Sequence, residues 1–263
     1  MDLRYIDIGL NLMGRQFDAD RESVVKEAFS EGVGFIITGT DIKSDRAAVE
    51  YLRAKPGEYA WCTCGIHPHN ADRWDDRYRR QLADLIEGNR GLVAAIGEAG
   101  LDYDRMFSTR DHQVKCFAEI LDMAEQLELP LFLHERSAEQ DFIKLMKQHR
   151  TLCGRSVVHC FTGSKETAYR YLQLGCHIGI TGWICDDRRN KEVVEAVKMI
   201  PLERLMIETD APYLTPLTVR GLPRRNVPVN IKYVADKIAA IKKIEAETVR
   251  EAVLANTRRF FAI

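Results

Sequence analysis

Leu92-Val93-Ala94-Ala95-Ile96-Gly97-Glu98-Ala99-Gly100-Leu101-Asp102 is the stretch that decides how this chain is read. Its apolar run, Leu92 to Ile96, is too short and too continuous for an amphipathic helix. It reads as a strand covered on both faces, as in a parallel sheet. The run then delivers an ionisable group, Glu98, at its carboxyl end. The pattern repeats: His134 follows Leu131-Phe132-Leu133, His159 follows Val157-Val158, and Asp210 follows Leu205-Met206-Ile207-Glu208-Thr209. In a barrel of parallel strands every carboxyl end opens on one face, and active sites are built there. One Glu, two His and one Asp on that face are a ligand set for a divalent metal. Any one of them also fits a hydrogen-bonded core residue, so the coincidence of four carries the reading.

Working outward, strand-like runs fall at 5–8, 34–38, 59–65, 92–97, 131–134, 156–159, 177–181 and 205–208. Eight runs at intervals of roughly 25–30 residues match a (β/α)8 barrel. Helical periodicity fills the intervals. Val24, Val25, Ala28 and Phe29 make one stripe within 20–31, and Val114, Phe117, Leu121 and Ala124 make another within 109–127, where Thr109 is an N-cap. Segments 137–149, 164–174 and 190–200 behave alike. A long loop with Pro and Arg, 211–228, follows the eighth strand, and helices at 229–242 and 246–261 close the chain. The expected class is α/β: a single (β/α)8 barrel over residues 1–263, with a long loop and an extra helix after the eighth strand.

The composition sets limits. Of 263 residues, 46% are hydrophobic and 29% charged, ordinary for a globular protein. A net charge of -1 supplies no global basic field to draw in a polyanion, so any attraction must be local. The seven cysteines are scattered without a paired C-x-x-C frame, and Cys62-Thr63-Cys64 reads as part of a buried strand. No segment approaches the roughly 18 apolar residues of a membrane span, and residues 1–7 carry no signal-peptide pattern. A cytoplasmic monomer is the expectation.

Other residues have bland alternatives. His112 and His149 read as solvated helix residues, and His177 begins a strand, on the face associated with stability. His67-Pro68-His69 closes the third strand, so one of the pair is expected to reach the site; the alternative is a rigid surface turn. Asp102 is expected to support Glu98. Arg224-Arg225 fits a solvated loop pair or a bidentate phosphate clamp.

Together these segments resemble the TatD family of metal-dependent nucleases over nearly the whole chain. The resemblance runs through Gly65-Ile66-His67-Pro68-His69, Gly97-Glu98-Ala99-Gly100-Leu101-Asp102-Tyr103, Leu133-His134-Glu135-Arg136 and His159-Cys160-Phe161-Thr162-Gly163. It continues through Gly182-Trp183-Ile184-Cys185-Asp186-Asp187-Arg188-Arg189, Glu208-Thr209-Asp210-Ala211-Pro212-Tyr213-Leu214 and Arg224-Arg225-Asn226-Val227-Pro228. It implies a TIM barrel of the amidohydrolase-like group and a DNase requiring a divalent cation, Mg2+ by expectation, with Mn2+ or Zn2+ as alternatives. Most members open with Asp-x-His-x-His, whereas this chain has Asp7-Ile8-Gly9-Leu10-Asn11. Gly9 offers no ligand and Asn11 only an amide oxygen. The ligand set implied is therefore Glu98, His134, His159 and Asp210, holding one metal, or a second weakly with substrate phosphate completing its shell.

The resemblance implies hydrolysis of phosphodiesters, 3'-to-5', on single-stranded DNA or RNA. Asp210 is the candidate general base, and His67 the group that holds the scissile phosphate or protonates the leaving oxygen. Arg225 and Arg136 are candidates for phosphate contact. Trp183, Tyr103, Phe161 and Tyr213 lie just beyond strand ends and are candidates for base stacking, with loop packing the plainer reading for each. The alternative function is an amidohydrolase-type metal hydrolase acting on a small ester, lactone or amide, since the same ligands serve carbonyl chemistry. A non-catalytic binding module is the third reading.

Overall fold

The computed structural model describes residues 2–55, 57 and 59–263; Met1, within the segment read for a signal peptide, lies outside them. Eight strands form one sheet in sequence order: β1 (Tyr5–Leu10), β2 (Val33–Ile37), β3 (Ala60–Cys64), β4 (Val93–Asp102), β5 (Leu131–Arg136), β6 (Ser156–Val158), β7 (His177–Ile180) and β8 (Leu205–Ile207). Every neighbouring pair is parallel. Just beyond β8 the sheet meets β1: the Asp210 N–H donates to the Gly9 carbonyl at 2.9 Å, and the Asn11 N–H donates to the Ala211 carbonyl at 2.9 Å. Asp7, fully buried, ties this seam by accepting from the Thr209 N–H at 2.8 Å and from the Thr209 hydroxyl. This is the TIM barrel expected from the strand pattern.

The helices are α1 (Arg21–Ser30), α2 (Ile42–Ala54), α3 (Asp76–Glu87), α4 (Arg110–Leu127), α5 (Glu139–Gln148), α6 (Arg150–Cys153), α7 (Lys165–Leu174), α8 (Lys191–Met199), α9 (Ile231–Lys242) and α10 (Ala246–Phe261). Besides the one-turn α6, two of them, α2 and α3, have no counterpart in the periodicity reading. Their apolar stripes are thin, Ala48, Val49 and Leu52 in one and Tyr78, Leu82 and Ile86 in the other, among many charges. Local chemistry starts both. Asp41 and Ser44 form a reciprocal capping box, and Asp75 accepts from the Tyr78 N–H. β4 runs five residues past the expected end, because Gly100 to Asp102 stay paired with His134 to Arg136 of β5. Gly100 sits at φ +140°, and a Cβ there would stand 1.9 Å from the His134 carbonyl, so only glycine permits that pairing.

Two apolar layers result. Inside the barrel, Ile6, Ile8, Ile36, Ala94, Phe132, Val157 and Met206 pack together, closed at the lower end by Phe261 of α10. Outside, the strands' other faces pack on the helices through residues such as Phe35, Ile37, Leu133 and Ile178. Among the described residues no helix is long and apolar enough to cross a membrane.

His177 is buried at the start of β7, its ring 4.9 Å edge-on from Phe260. Burial first, then Arg204 and Arg259, push its pKa down to about 4. A histidine depressed in the folded state contributes stability above its unfolded value of about 6.5, and that stability is lost as the pH falls towards 4. Acidification through this window should therefore cost on the order of 3 kcal/mol at most through this residue. His177→Phe should flatten the pH dependence of urea denaturation between pH 6.5 and 4. Superimposable profiles for the two proteins would count against this assignment.

Candidate metal centre and active-site cleft

At the carboxyl ends of the strands lies a cleft of about 600 Å3. Its floor is organised on Glu98. Oε1 of this buried carboxylate lies 2.8 Å from His159 Nε2, 3.0 Å from His134 Nδ1 and 3.2 Å from His67 Nε2. Three imidazoles on one carboxylate oxygen exceed its two lone pairs. The histidines hold Glu98 well below the usual carboxylate range, against the upward push of burial. In turn the carboxylates raise His134 and His159, whereas burial lowers His67. A divalent cation would neutralise Glu98 here, and these nitrogen and oxygen donors fit such an ion. His67, Glu98 and His134 alone already bring ligand atoms within 4.8 Å of one another.

Around this set stands a second layer. Asp102, in the extension of β4, lies 2.8 Å from His69 Nε2 and 3.4 Å from His134 Nε2. Glu208 lies 3.4 Å from His159 Nδ1 and accepts from the Cys160 N–H at 2.5 Å. Carboxylates on the far nitrogens of ligand histidines fix ring orientation and raise basicity. Asp210, in a left-handed conformation at φ +52°, accepts from Asn11 Nδ2 at 2.8 Å. Burial foremost, and then Glu208 and Glu98, push its carboxyl up to about 7 against the opposing pull of His159.

The structure brings Glu98, His134, His159, Asp210 and His67 into one cleft, along with Arg136 and Trp183. His69, the other member of the histidine pair, also lines it. Tyr103 and Arg225 lie elsewhere. The Tyr103 hydroxyl donates to Asp141 at 2.6 Å, with Arg110 over its ring. Arg225 donates to both oxygens of Asp20 and to the Gln16 carbonyl, with Phe17 beneath it. Phe161 is buried against Tyr171. Glu208 and Arg105 were not singled out in advance, and Asn11 only as a weak amide where a first-strand imidazole would stand. Glu208 had a signal: a carboxylate embedded in an apolar run needs a polar partner inside the barrel. Arg105 had none, because only the β4 extension brings it to the cleft.

Gly9 also finds its reason here. A Cβ at residue 9 would stand 2.3 Å from Glu208 Oε2, and one at Gly179 would stand 2.8 Å from Oε1. The buried Glu208 carboxylate occupies the space a first-strand side chain would take. Gly9→Ala should therefore destabilise the fold by about 1–3 kcal/mol, as overpacking does. Glu208→Ala in the same chain should recover part of that loss; denaturant midpoints that fail to respond to the second change would refute the clash.

An eight-stranded α/β barrel with a histidine- and carboxylate-lined cleft at its carboxyl face has the architecture on which metal-dependent hydrolases are built. The family model for TatD related DNase matches residues 6–262. The 3'-5' ssDNA/RNA exonuclease TatD of Pectobacterium atrosepticum is 41% identical over 260 residues, covering 98% of this chain and 99% of its own. Among solved structures, the TatD-family hydrolase of Entamoeba histolytica superposes with a TM-score of 0.90 at 28% identity, covering 99% of this chain and 98% of its own. The TatD homologue YjjV of Escherichia coli K12 gives 0.88 at 30% identity, with both chains fully covered. This chain belongs to the TatD-related DNase family.

Proposed function

We propose that this protein is a divalent-metal-dependent 3'-to-5' exonuclease acting on single-stranded DNA or RNA. The observation that carries the proposal is the convergence of His67, His134 and His159 on Glu98 beside a half-buried Asp210. The name of the Pectobacterium relative supports the polarity and the substrate. Glu98, His134 and His159 would hold the cation, with Asp210 at its edge. Mg2+ is the expected ion, with Mn2+ or Zn2+ accepted by the same donors. When bound, such an ion supplies Lewis acidity and charge for a phosphate group.

The chain's own residues do the remainder. Asp210, raised to about 7 by burial, takes the proton from the attacking water, a role favoured when a base titrates near the working pH. Asn11 keeps the carboxylate aimed by donating to Oδ1. His67, beside Glu98 in the cleft, holds the scissile phosphate or, in its imidazolium form, hands a proton to the departing oxygen. Arg136, half exposed and 2.9 Å from Asp104, contacts a neighbouring phosphate, and Trp183 forms part of the cleft wall. Arg225, held by Asp20 outside the cleft, would contact phosphate only on release from that pair. Tyr103, with its hydroxyl donated to Asp141 outside the cleft, is given no substrate contact. We also assign residues 1–263 to one domain, a monomer in the cytoplasm.

The test is a substrate panel with Mg2+, Mn2+ or EDTA: single-stranded DNA, matching RNA, duplex DNA, and a set of small esters, lactones and amides. Cation-dependent loss of the single strands is expected, with the small substrates untouched. Turnover of a lactone or amide with intact polynucleotides would establish the amidohydrolase-type alternative.

A further inference from the structure

Among the described residues, the large apolar side chains that stand exposed are Met106, Phe107, Tyr169, Tyr213, Leu217 and Ile244. Four of these, Met106, Phe107, Tyr213 and Leu217, lie in the loops after β4 and β8. Exposed apolar side chains on the loops around one barrel face mark a surface used for binding.

The loop after β4 is pinned on both sides of its tip. Asp102 accepts from the N–H groups of Asp104 and Arg105 at 3.0 and 2.9 Å. Beyond the tip, Ser108 Oγ donates to the His69 carbonyl at 3.0 Å, and Gln113 Nε2 donates to the Ser108 carbonyl at 2.9 Å. Between these fastenings Met106 turns the chain at φ +50°, and Phe107 stands 65% exposed. Its ring meets His69 edge-on at 4.8 Å, and His69 lines the cleft. A rigidly held phenyl left in water forgoes the gain of burial and is poised for a planar ligand.

Tyr213 mirrors it. It lies three residues after Asp210, lines the cleft, is 53% exposed, and its N–H donates to the Asp210 carbonyl at 3.0 Å. In a ring ordered β1 to β8, the fourth and eighth strands are half a barrel apart. Phe107 and Tyr213 therefore stand on opposite rims, with Glu98 and its histidines between them. Arg105 and Arg136 line the cleft near Phe107. Aromatic faces set beside cations match the alternating bases and phosphates of a single strand.

We propose that Phe107 and Tyr213 are a pair of base-stacking jaws, each holding one of the two bases that flank the scissile phosphodiester. The proposal rests on the nuclease reading and deepens it by naming the side chains that select unpaired bases, because a paired base has no free face to offer. Trp183 is left out of the pair, since Arg189 already covers its ring at 3.8 Å.

The test uses the full chain in an Asp210→Asn background with Mg2+, and oligothymidylates carrying 2-aminopurine at the last or the penultimate 3' position. The fluorescence of this base falls on stacking. Both positions should be quenched on binding. Phe107→Ala should restore emission at one position and Tyr213→Ala at the other, each weakening binding about tenfold. Phe107→Trp should keep the quenching. Both side chains are exposed, so neither change threatens the fold. Normal binding with emission indifferent to both alanine changes would overturn the jaws alone, as would equal affinity for an oligonucleotide abasic at these two positions. An Asp210→Asn protein that binds no single strand, together with a wild type that cleaves none, would overturn the nuclease reading itself.

Discussion

Glu98→Gln should lower the rate of single-stranded DNA cleavage at least about 10³-fold and remove tight cation binding with it. Glu98 is the one acceptor on which three imidazoles converge, and its negative charge holds His134 and His159 in place. A glutamine keeps the shape but brings no charge, and it sets a donor amide against histidine nitrogens. The loss should be seen in two independent readouts: Mn2+ affinity by calorimetry, and turnover at saturating cation. The fold should survive, since the outer apolar layer and the seam through Asp7 and Thr209 do not involve this residue. Retention of wild-type Mn2+ affinity would remove Glu98 from the ligand set.

Asp210→Asn should cost about 10²- to 10⁴-fold in kcat while leaving KM and cation affinity within about tenfold. This split separates a base from a ligand. The amide preserves a hydrogen-bonding partner for Asn11 but cannot take a proton. If cation affinity falls together with kcat, Asp210 acts as a ligand first. If neither parameter moves, the proton is taken elsewhere.

Much of this site was legible in the sequence, for a physical reason. In a parallel barrel the carboxyl end of a strand is both the end of an apolar run and the edge of the active face. Glu98, His134, His159 and Asp210 could therefore be placed without any knowledge of contacts, and the structure brings all four into one cleft. Residues acting through loops were harder to place. Arg225 lies in the long segment after β8 as expected, but Asp20, far away in sequence, captures it. Tyr103 follows Asp102 directly, yet its hydroxyl turns to Asp141 on α5. Such choices depend on where α1 and α5 stand, which a strand pattern does not reveal. The two long helices missed, α2 and α3, carry sparse apolar stripes and are set by their Asp41 and Asp75 caps. Gly9 was legible only as a missing ligand. Its positive role, making room for Glu208, appears once β1 and β8 lie side by side.

The most direct measurement is a time course on one single-stranded oligonucleotide labelled in separate samples at its 3' or 5' end, with Mg2+, with EDTA, and with the Asp210→Asn protein. Immediate release of a labelled mononucleotide from the 3' label is predicted, with a descending ladder from the 5' label. Both signals should be absent with EDTA and with the variant. A ladder from the 3' label with mononucleotide from the 5' label would reverse the polarity, and full activity in EDTA or in Asp210→Asn would contradict the account.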